Sequence, residues 1–287
     1  MVAGCLRAAR AGEFGRQLRG VGLGVGKDHA LGDTWRQRFW FSGTSPVGWG
    51  WCYLPCEVTQ TSLARQVHPD YPRPLDEVID WFDAQAPDAD HLTTVRAIDA
   101  DATGQLARHG HRQDCDSTMG AGSWVQMNAR DLAELAEPVL PAGFRLRTAG
   151  QVSPDAAVTA HQDAGTRRLS PGFDGVRHTW PYRDDLHILI EAADGTLVAS
   201  AIIWIDEQNR TAEFEPVGTH RKYRQLGLGR ALMFYGMRRA REAGATRMLV
   251  GCVGDPAHPA AKRLYYSVGF REISRDLPHV KHAAPAR

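Results

Sequence analysis

Hydrophobic positions in the C-terminal half change period in a fixed order. Apolar runs predict strands over Leu186–Glu191 and Leu197–Ile205, joined by a hairpin turn at Asp194-Gly195. A polar turn at Asp206–Asn209 precedes a further strand over Thr211–Val217. From Leu228 the period becomes helical, with Leu228, Leu232, Tyr235 and Met237 on the apolar side, and Gly244 closes that helix near Ala243. A strand over Arg247–Val253, a short helix over His258–Ser267 and a last strand opened by Gly269-Phe270 complete the half.

The N-terminal half carries a weaker version of the same pattern. Gly43-Thr44 matches Gly195-Thr196 at an offset of 195 − 43 = 152, and His68 and Tyr71 match His220 and Tyr223 at the same offset. Leu106–Gly110 matches Tyr265–Gly269 at 269 − 110 = 159, so the second copy carries seven inserted residues. A duplicated domain explains both offsets. The Pro- and Gly-punctuated stretch Glu137–Gly143 is the clearest linker. The expected organisation is a disordered Arg- and Gly-rich extension over 1–27, a degenerate domain over 28–140 and a catalytic domain over 141–287.

One segment carries chemistry. Glu213 to Leu232 runs strand, turn and helix, with Arg224, Gly227 and Gly229 at the junction. Amide groups at a helix N-terminus point outward without helical partners, and the helix dipole adds positive character there. Glycines let a diphosphate approach the backbone, and Arg224 and Arg230 can add charge-assisted bonds. Arg-x-x-Gly-x-Gly between a strand and a helix resembles the pyrophosphate signature of the GNAT acetyltransferase superfamily. Leu264-Tyr265-x-x-x-Gly269-Phe270 resembles that family's closing motif. Together the matches span about residues 144–273. The wording Glu-Pro-Val-Gly-Thr-His at 215–220 is similar to a group of actinobacterial acetyltransferases that includes the tandem enzyme mycothiol synthase.

The resemblance implies a tandem α/β (α+β) fold, with a mixed central sheet flanked by helices in each half. It implies acetyl-CoA as co-substrate, with the pantetheine arm in a gap that opens after Val217. Val217, Gly218 and Thr219 would pair with the arm, and Arg224, Gln225, Leu226, Gly227, Leu228, Gly229 and Arg230 would hold the pyrophosphate. His258 stands where many relatives carry Asn against the pantetheine. Amine acetylation needs a proton acceptor, an oxyanion donor and a proton donor for the leaving thiolate. Glu213 occupies the family's base position, Glu215 is the neighbouring alternative, Tyr265 matches the thiolate-protonating tyrosine, and a backbone N–H near Val217 would stabilise the oxyanion. Asp163, Asp174, Trp180, Tyr182, Asp184 and Asp185 lie where relatives build the acceptor pocket.

In the N-terminal copy the offset of 152 sets Pro72, Leu75 and Glu77 against Arg224, Gly227 and Gly229. A proline removes a donor and a carboxylate repels a diphosphate, so that copy is expected not to bind acetyl-CoA. Trp35, Trp40, Trp49, Trp51 and Trp81 read as core aromatics. His109-Gly-His111 suggests a metal, yet no ligand partner stands at suitable spacing, and no metal is expected.

Composition narrows the rest. A net charge of +1 leaves no basic excess for nucleic acid or for an anionic membrane. No apolar run approaches a bilayer span of about 20 residues. Five scattered cysteines read as free thiols in a reducing cytoplasm. Only four of the 34 Lys+Arg residues are lysine, the bias of a GC-rich genome. The expected activity is acetylation of a small-molecule amine, on family analogy an aminoglycoside of the kasugamycin type. The alternatives are a cysteinyl amine, as for mycothiol synthase, and a non-catalytic acetyl-CoA sensor. A homodimer is compatible with the sequence.

Overall fold

The computed structural model describes residues 35–54, 60–68, 70–71, 73–114, 124–164, 176–178, 180–254 and 259–283. The expected extension over 1–27 therefore lies outside the described residues. Strands β1 (Trp35–Ser42), β2 (Ser45–Tyr53) and β3 (Gln60–Val67) lead into helix α1 (Arg73–Asp83). Strand β4 (Asp90–Arg96), helix α2 (Ala100–Arg108), β5 (Arg112–Gln113) and β6 (Val125–Asp131) follow. The chain continues through β7 (Arg145–Thr148), α3 (Pro154–Ala164), β8 (His187–Glu191), β9 (Leu197–Asp206) and β10 (Thr211–Thr219). It ends with α4 (Leu228–Glu242), β11 (Arg247–Val253), α5 (Pro259–Ser267) and β12 (Arg271–Lys281). This is a mixed α/β fold with helices flanking a mixed sheet.

The sheet is continuous through both halves, in the order β1-β2-β3-β4-β12-β6-β11-β10-β9-β8-β7, with β5 beside β12. The two halves exchange strands across the sequence linker. β6 precedes Glu137–Gly143, yet it lies between β11 and β12. β12 pairs β6 through Arg271–Asp276 and then pairs β4 through Asp276–Lys281. Lys281 closes the exchange by donating to Asp83 of α1 at 2.6 Å.

Local sequence accounts for the turns. Gly43 and Gly195 have positive φ in the β1–β2 and β8–β9 hairpins, and Gly244 adopts φ +100° just beyond α4. Asp99 caps α2 by accepting from the Ala102 N–H at 3.0 Å. The main core sits between α4, α5 and one sheet face, around Ile188, Ile190, Ile203, Phe214, Leu232, Met237, Val250 and Phe270. Gly236 lets α4 close onto that face, where a Cβ would stand 2.7 Å from the Phe214 ring. In the N-terminal half Trp40 and Trp81 pack edge to face, 5.7 Å apart, beside Val78 and Phe82.

Buried histidines make the fold acid-sensitive. Burial pushes His187 down to about 3 and His111 down to about 4. In the unfolded chain both would titrate near ~6.5, so that chain binds more protons as pH drops below this value. Thermal unfolding is expected at a lower temperature at pH 5 than at pH 7. Equal midpoints at the two pH values would show that neither histidine is held neutral.

Candidate active site

Strands β10 and β11 run parallel and pair only from Thr211↔Arg247 to Phe214↔Val250. Beyond that point they part, three residues earlier than the opening expected after Val217. A bulge causes the divergence. The β9 register advances from Ile203 to Ala201 while β10 advances from Phe214 to Val217, so β10 carries one extra residue. Pro216 falls inside the bulge and has no N–H to give to a ladder. The buried Trp204 indole donates to the Glu215 carbonyl at 2.6 Å and fixes the bulge from β9. The sequence marked Trp204 only as strand core. Val217, Gly218 and Thr219 keep their pairing to β9 while their other edge borders the gap, as an added strand requires.

At the end of this strand the chain turns into α4. Gln225 has φ +65°, and Gly227, at φ +80°, is the N-cap with no side chain to satisfy the first amides. Leu228, Gly229 and Arg230 form the first turn beside the opening. Gly229 also permits close helix packing, since a Cβ there would meet Leu264 of α5 at 3.1 Å. Arg224 is exposed and donates from Nε to the Thr219 carbonyl at 3.1 Å. The Arg230 guanidinium is engaged elsewhere. It donates to the Ser267 carbonyl at the end of α5 and lies over the Phe234 ring at 5.0 Å. Arg230 therefore offers the cradle its main-chain N–H, and its side chain ties α4 to α5.

Tyr265 lies buried in α5. Burial first, then the nearby charges of Glu215 and Cys252, hold its hydroxyl well above the ordinary phenol range. Glu215 is on β10 and Cys252 on β11, and Tyr265 belongs to the same core cluster as Cys252. Glu215 is half-buried, and Glu213 is fully buried where β10 is still laddered to Leu249 and Trp204. The Cys252 thiol is pushed up by burial and approached by the Asn128 amide at 3.6 Å, which suits a core thiol.

Of the acceptor candidates, Trp180 is 62% exposed, Tyr182 is half-buried and Asp184 is exposed. The Tyr182 and Trp204 rings lie 6.5 Å apart. Asp163 stands exposed on the last turn of α3, beside Ala164. The Ala164 carbonyl covers Gly218 so closely that a Cβ there would collide with it. Asp185 pairs with Arg183 at 2.8 Å. His258 and Asp174 lie outside the described residues. His109 does meet carboxylates, Asp76 at 3.0 Å and Asp80 at 3.2 Å, contrary to the spacing expectation. No group of three ligand-type residues suits a metal among the described residues, and no described helix is long and apolar enough to cross a membrane.

The N-terminal half shows a similar pairing pattern. β3 and β4 pair in parallel from Gln60↔Asp90 to Leu63↔Thr93 and then part. Aligning the two ladders gives 211 − 60 = 151, which sets Ser62 against Glu213, while Leu106 stands for Tyr265. Val67 of β3, Val95 of β4, Leu75 and Ile79 of α1, and Ala102 and Leu106 of α2 form one apolar cluster. Both copies keep one turn. His68 accepts from the Asp70 N–H at 3.2 Å, as His220 accepts from the Lys222 N–H at 3.3 Å. Tyr71 and Tyr223 pack edge to face on these histidines.

Residues 157–270 match the Acetyltransferase (GNAT) family. Among curated proteins none matches the sequence. A GCN5-related N-acetyltransferase from Sphaerobacter thermophilus is similar in structure, with a TM-score of 0.64 and 19% identity over 85% of this chain and 79% of that one. A tandem GNAT protein from the clavulanic acid biosynthesis pathway, solved without AcCoA, has a TM-score of 0.62 and 18% identity over 88% and 85%. A GCN5-related N-acetyltransferase from Kribbella flavida has a TM-score of 0.55 and 19% identity over 92% and 95%. These likenesses establish the fold.

Proposed function

We propose that this chain, whose C-terminal half is a GNAT acetyltransferase domain, transfers acetyl from acetyl-CoA directly to the amine of a small molecule. The carrying observation is the parting of β10 and β11 after Phe214, with Glu215 on the freed strand and buried Tyr265 close enough to feel its charge. The chain's features fit the co-substrate. A side-chain-free N-cap leaves the first amides of α4 to an anion, and the outer edge of Val217–Thr219 borders the gap. When bound there, acetyl-CoA supplies an activated thioester. Glu215 accepts the ammonium proton, backbone N–H near Val217 steadies the developing oxyanion, and Tyr265 returns a proton to the departing sulfur. Glu213, two residues earlier on β10 and fully buried, is the alternative base. The buried free thiols Cys52 and Cys252 suit a reducing cytoplasm.

The acceptor is read as an amino sugar of the aminoglycoside type, kasugamycin among them. Exposed Trp180, half-buried Tyr182 and exposed Asp184 offer a flat aromatic surface beside negative charge, which suits a cationic ring. The test is incubation with acetyl-CoA and kasugamycin, several 2-deoxystreptamine aminoglycosides and a cysteinyl amine, reading product mass. One added acetyl group on an amino sugar supports the reading. Turnover of the cysteinyl amine alone transfers the assignment to thiol biosynthesis.

Pro72, Leu75 and Glu77, standing where the C-terminal half has Arg224, Gly227 and Gly229, predict one acetyl-CoA per chain. Calorimetric titration should give a stoichiometry of one. Two equivalent sites would contradict the loss of function in that copy.

A further inference from the structure

On the sheet face away from α4 lies a polar chain that the proposed chemistry leaves unused. His187, fully buried, opens β8. Its Nε2 lies 2.9 Å from the hydroxyl of Ser200 on β9, itself 2% exposed. Its Nδ1 lies 2.9 Å from the Tyr182 hydroxyl. Burial, then the charge of Asp184 and a hydrogen bond to it, hold the Tyr182 proton on, while the Arg177 guanidinium also reaches that hydroxyl and opposes them. Ser200 is paired across β10 with Gly218. One end of the chain is thus fixed beneath the strand expected to carry the pantetheine, and the other end reaches the surface at Asp184.

The hydrogen-bond directions follow from the inventory. A neutral imidazole donates from one nitrogen and accepts at the other. Asp184 is an acceptor when ionised, so Tyr182 donates to it and its oxygen is left to accept from Nδ1–H. Nε2 then accepts from the Ser200 hydroxyl. This run is satisfied by an uncharged imidazole, which accepts at Nε2 and donates at Nδ1. Burial, with the Arg177 charge nearby, provides that condition by pushing His187 down to about 3.

Such a chain fixes rotamers. Tyr182 packs edge to face on both His187 and Trp204, with ring centroids 5.9 Å and 6.5 Å apart. Trp204 in turn holds the Glu215 carbonyl. We propose that His187 is a positioning residue for the acceptor, a buried bridge that locks Tyr182 and Asp184 into the acceptor wall. The inference rests on the amine-acetylation reading and names the part of the chain that sets acceptor affinity. No proton is transferred along the bridge. A side chain held in its binding rotamer spares the acceptor the cost of ordering it, so loss of the bridge weakens acceptor binding before chemistry.

The test is steady-state kinetics of the full chain with acetyl-CoA and the best amine found in the panel above. Tyr182→Phe and His187→Leu are each expected to raise acceptor KM about tenfold, the scale of one lost buried hydrogen bond, with acetyl-CoA KM within about twofold of wild type. The double variant should cost no more than the larger single one, since both break one bridge. His187→Gln, whose amide can accept from Ser200 and donate to Tyr182, should recover most of the affinity. The inference fails if Tyr182→Phe leaves acceptor KM unchanged, or if both substrates' KM rise together. It also fails if the variants lower only the unfolding temperature. A wild-type chain that binds acetyl-CoA and acetylates no amine defeats the parent reading, and this inference with it. Turnover with an indifferent Tyr182→Phe defeats this inference alone.

Discussion

Replacing Tyr265 with phenylalanine is expected to lower kcat by ~10²–10⁴ while acetyl-CoA affinity changes by less than about threefold, the scale of one proton-transfer group. A departing thiolate in an apolar cleft is a strong base, and a donor must retain its proton until the sulfur takes it. Burial and the neighbouring Glu215 charge keep the Tyr265 phenol protonated throughout the neutral range. Phenylalanine fills the same volume beside Phe270, whose ring lies 6.2 Å away, so the core packing should survive. Thermal unfolding should therefore shift little while turnover collapses. The measurement is thiol release in single turnover, paired with calorimetric titration of acetyl-CoA. A kcat within threefold of wild type would remove Tyr265 from the chemistry and leave it as a core aromatic.

Much of the C-terminal half was legible because its elements are bounded by local signals. Arg247–Val253 agrees residue for residue with β11, and the helix expected over Leu228–Ala243 ends at Glu242. Gly195 and Gly244 punctuate the pattern by their backbone conformation. The likeness of the two His/Tyr turns was also legible, through His68 and Tyr71, because a turn closed by its own side chains leaves a compact motif.

What sequence reading missed is non-local. The exchange of β6 and β12 depends on pairing choices between distant strands, and an apolar alternation does not name its partner. Trp204 and His187 look like ordinary strand residues until β9 brings one to Glu215 and the other to Ser200. Arg230 carries the right charge at the right position, yet Ser267, distant in sequence, captures its guanidinium. The opening of the sheet was expected at Val217, but the extra residue between Phe214 and Val217 moves it upstream and brings Glu215 into the open segment.

That displacement gives the two carboxylates different surroundings. Strand alternation alone puts Glu213 and Glu215 on one face and treats them alike. In the fold, Glu213 is enclosed where the β10–β11 ladder still holds, whereas Glu215 lies beyond its end, half-buried and near Tyr265. A base must come within hydrogen-bond reach of the proton it takes, directly or through one water. Glu215→Gln is therefore expected to lower kcat/KM for the amine by ~10²-fold or more at pH 7, and Glu213→Gln by less than about tenfold. The sign of the pH dependence follows from the acceptor. Below its own pKa the amine is an ammonium, and without a base only the small free-amine fraction reacts. Each rise in pH enlarges that fraction, so the Glu215→Gln defect should shrink steadily between pH 7 and pH 9.5 while the wild-type rate changes less. Rate profiles of the three proteins over that range measure it. A defect in Glu215→Gln that is independent of pH would make Glu215 a binding group. A larger, pH-dependent defect in Glu213→Gln would return the base to the buried carboxylate, with a water carrying the proton between it and the amine.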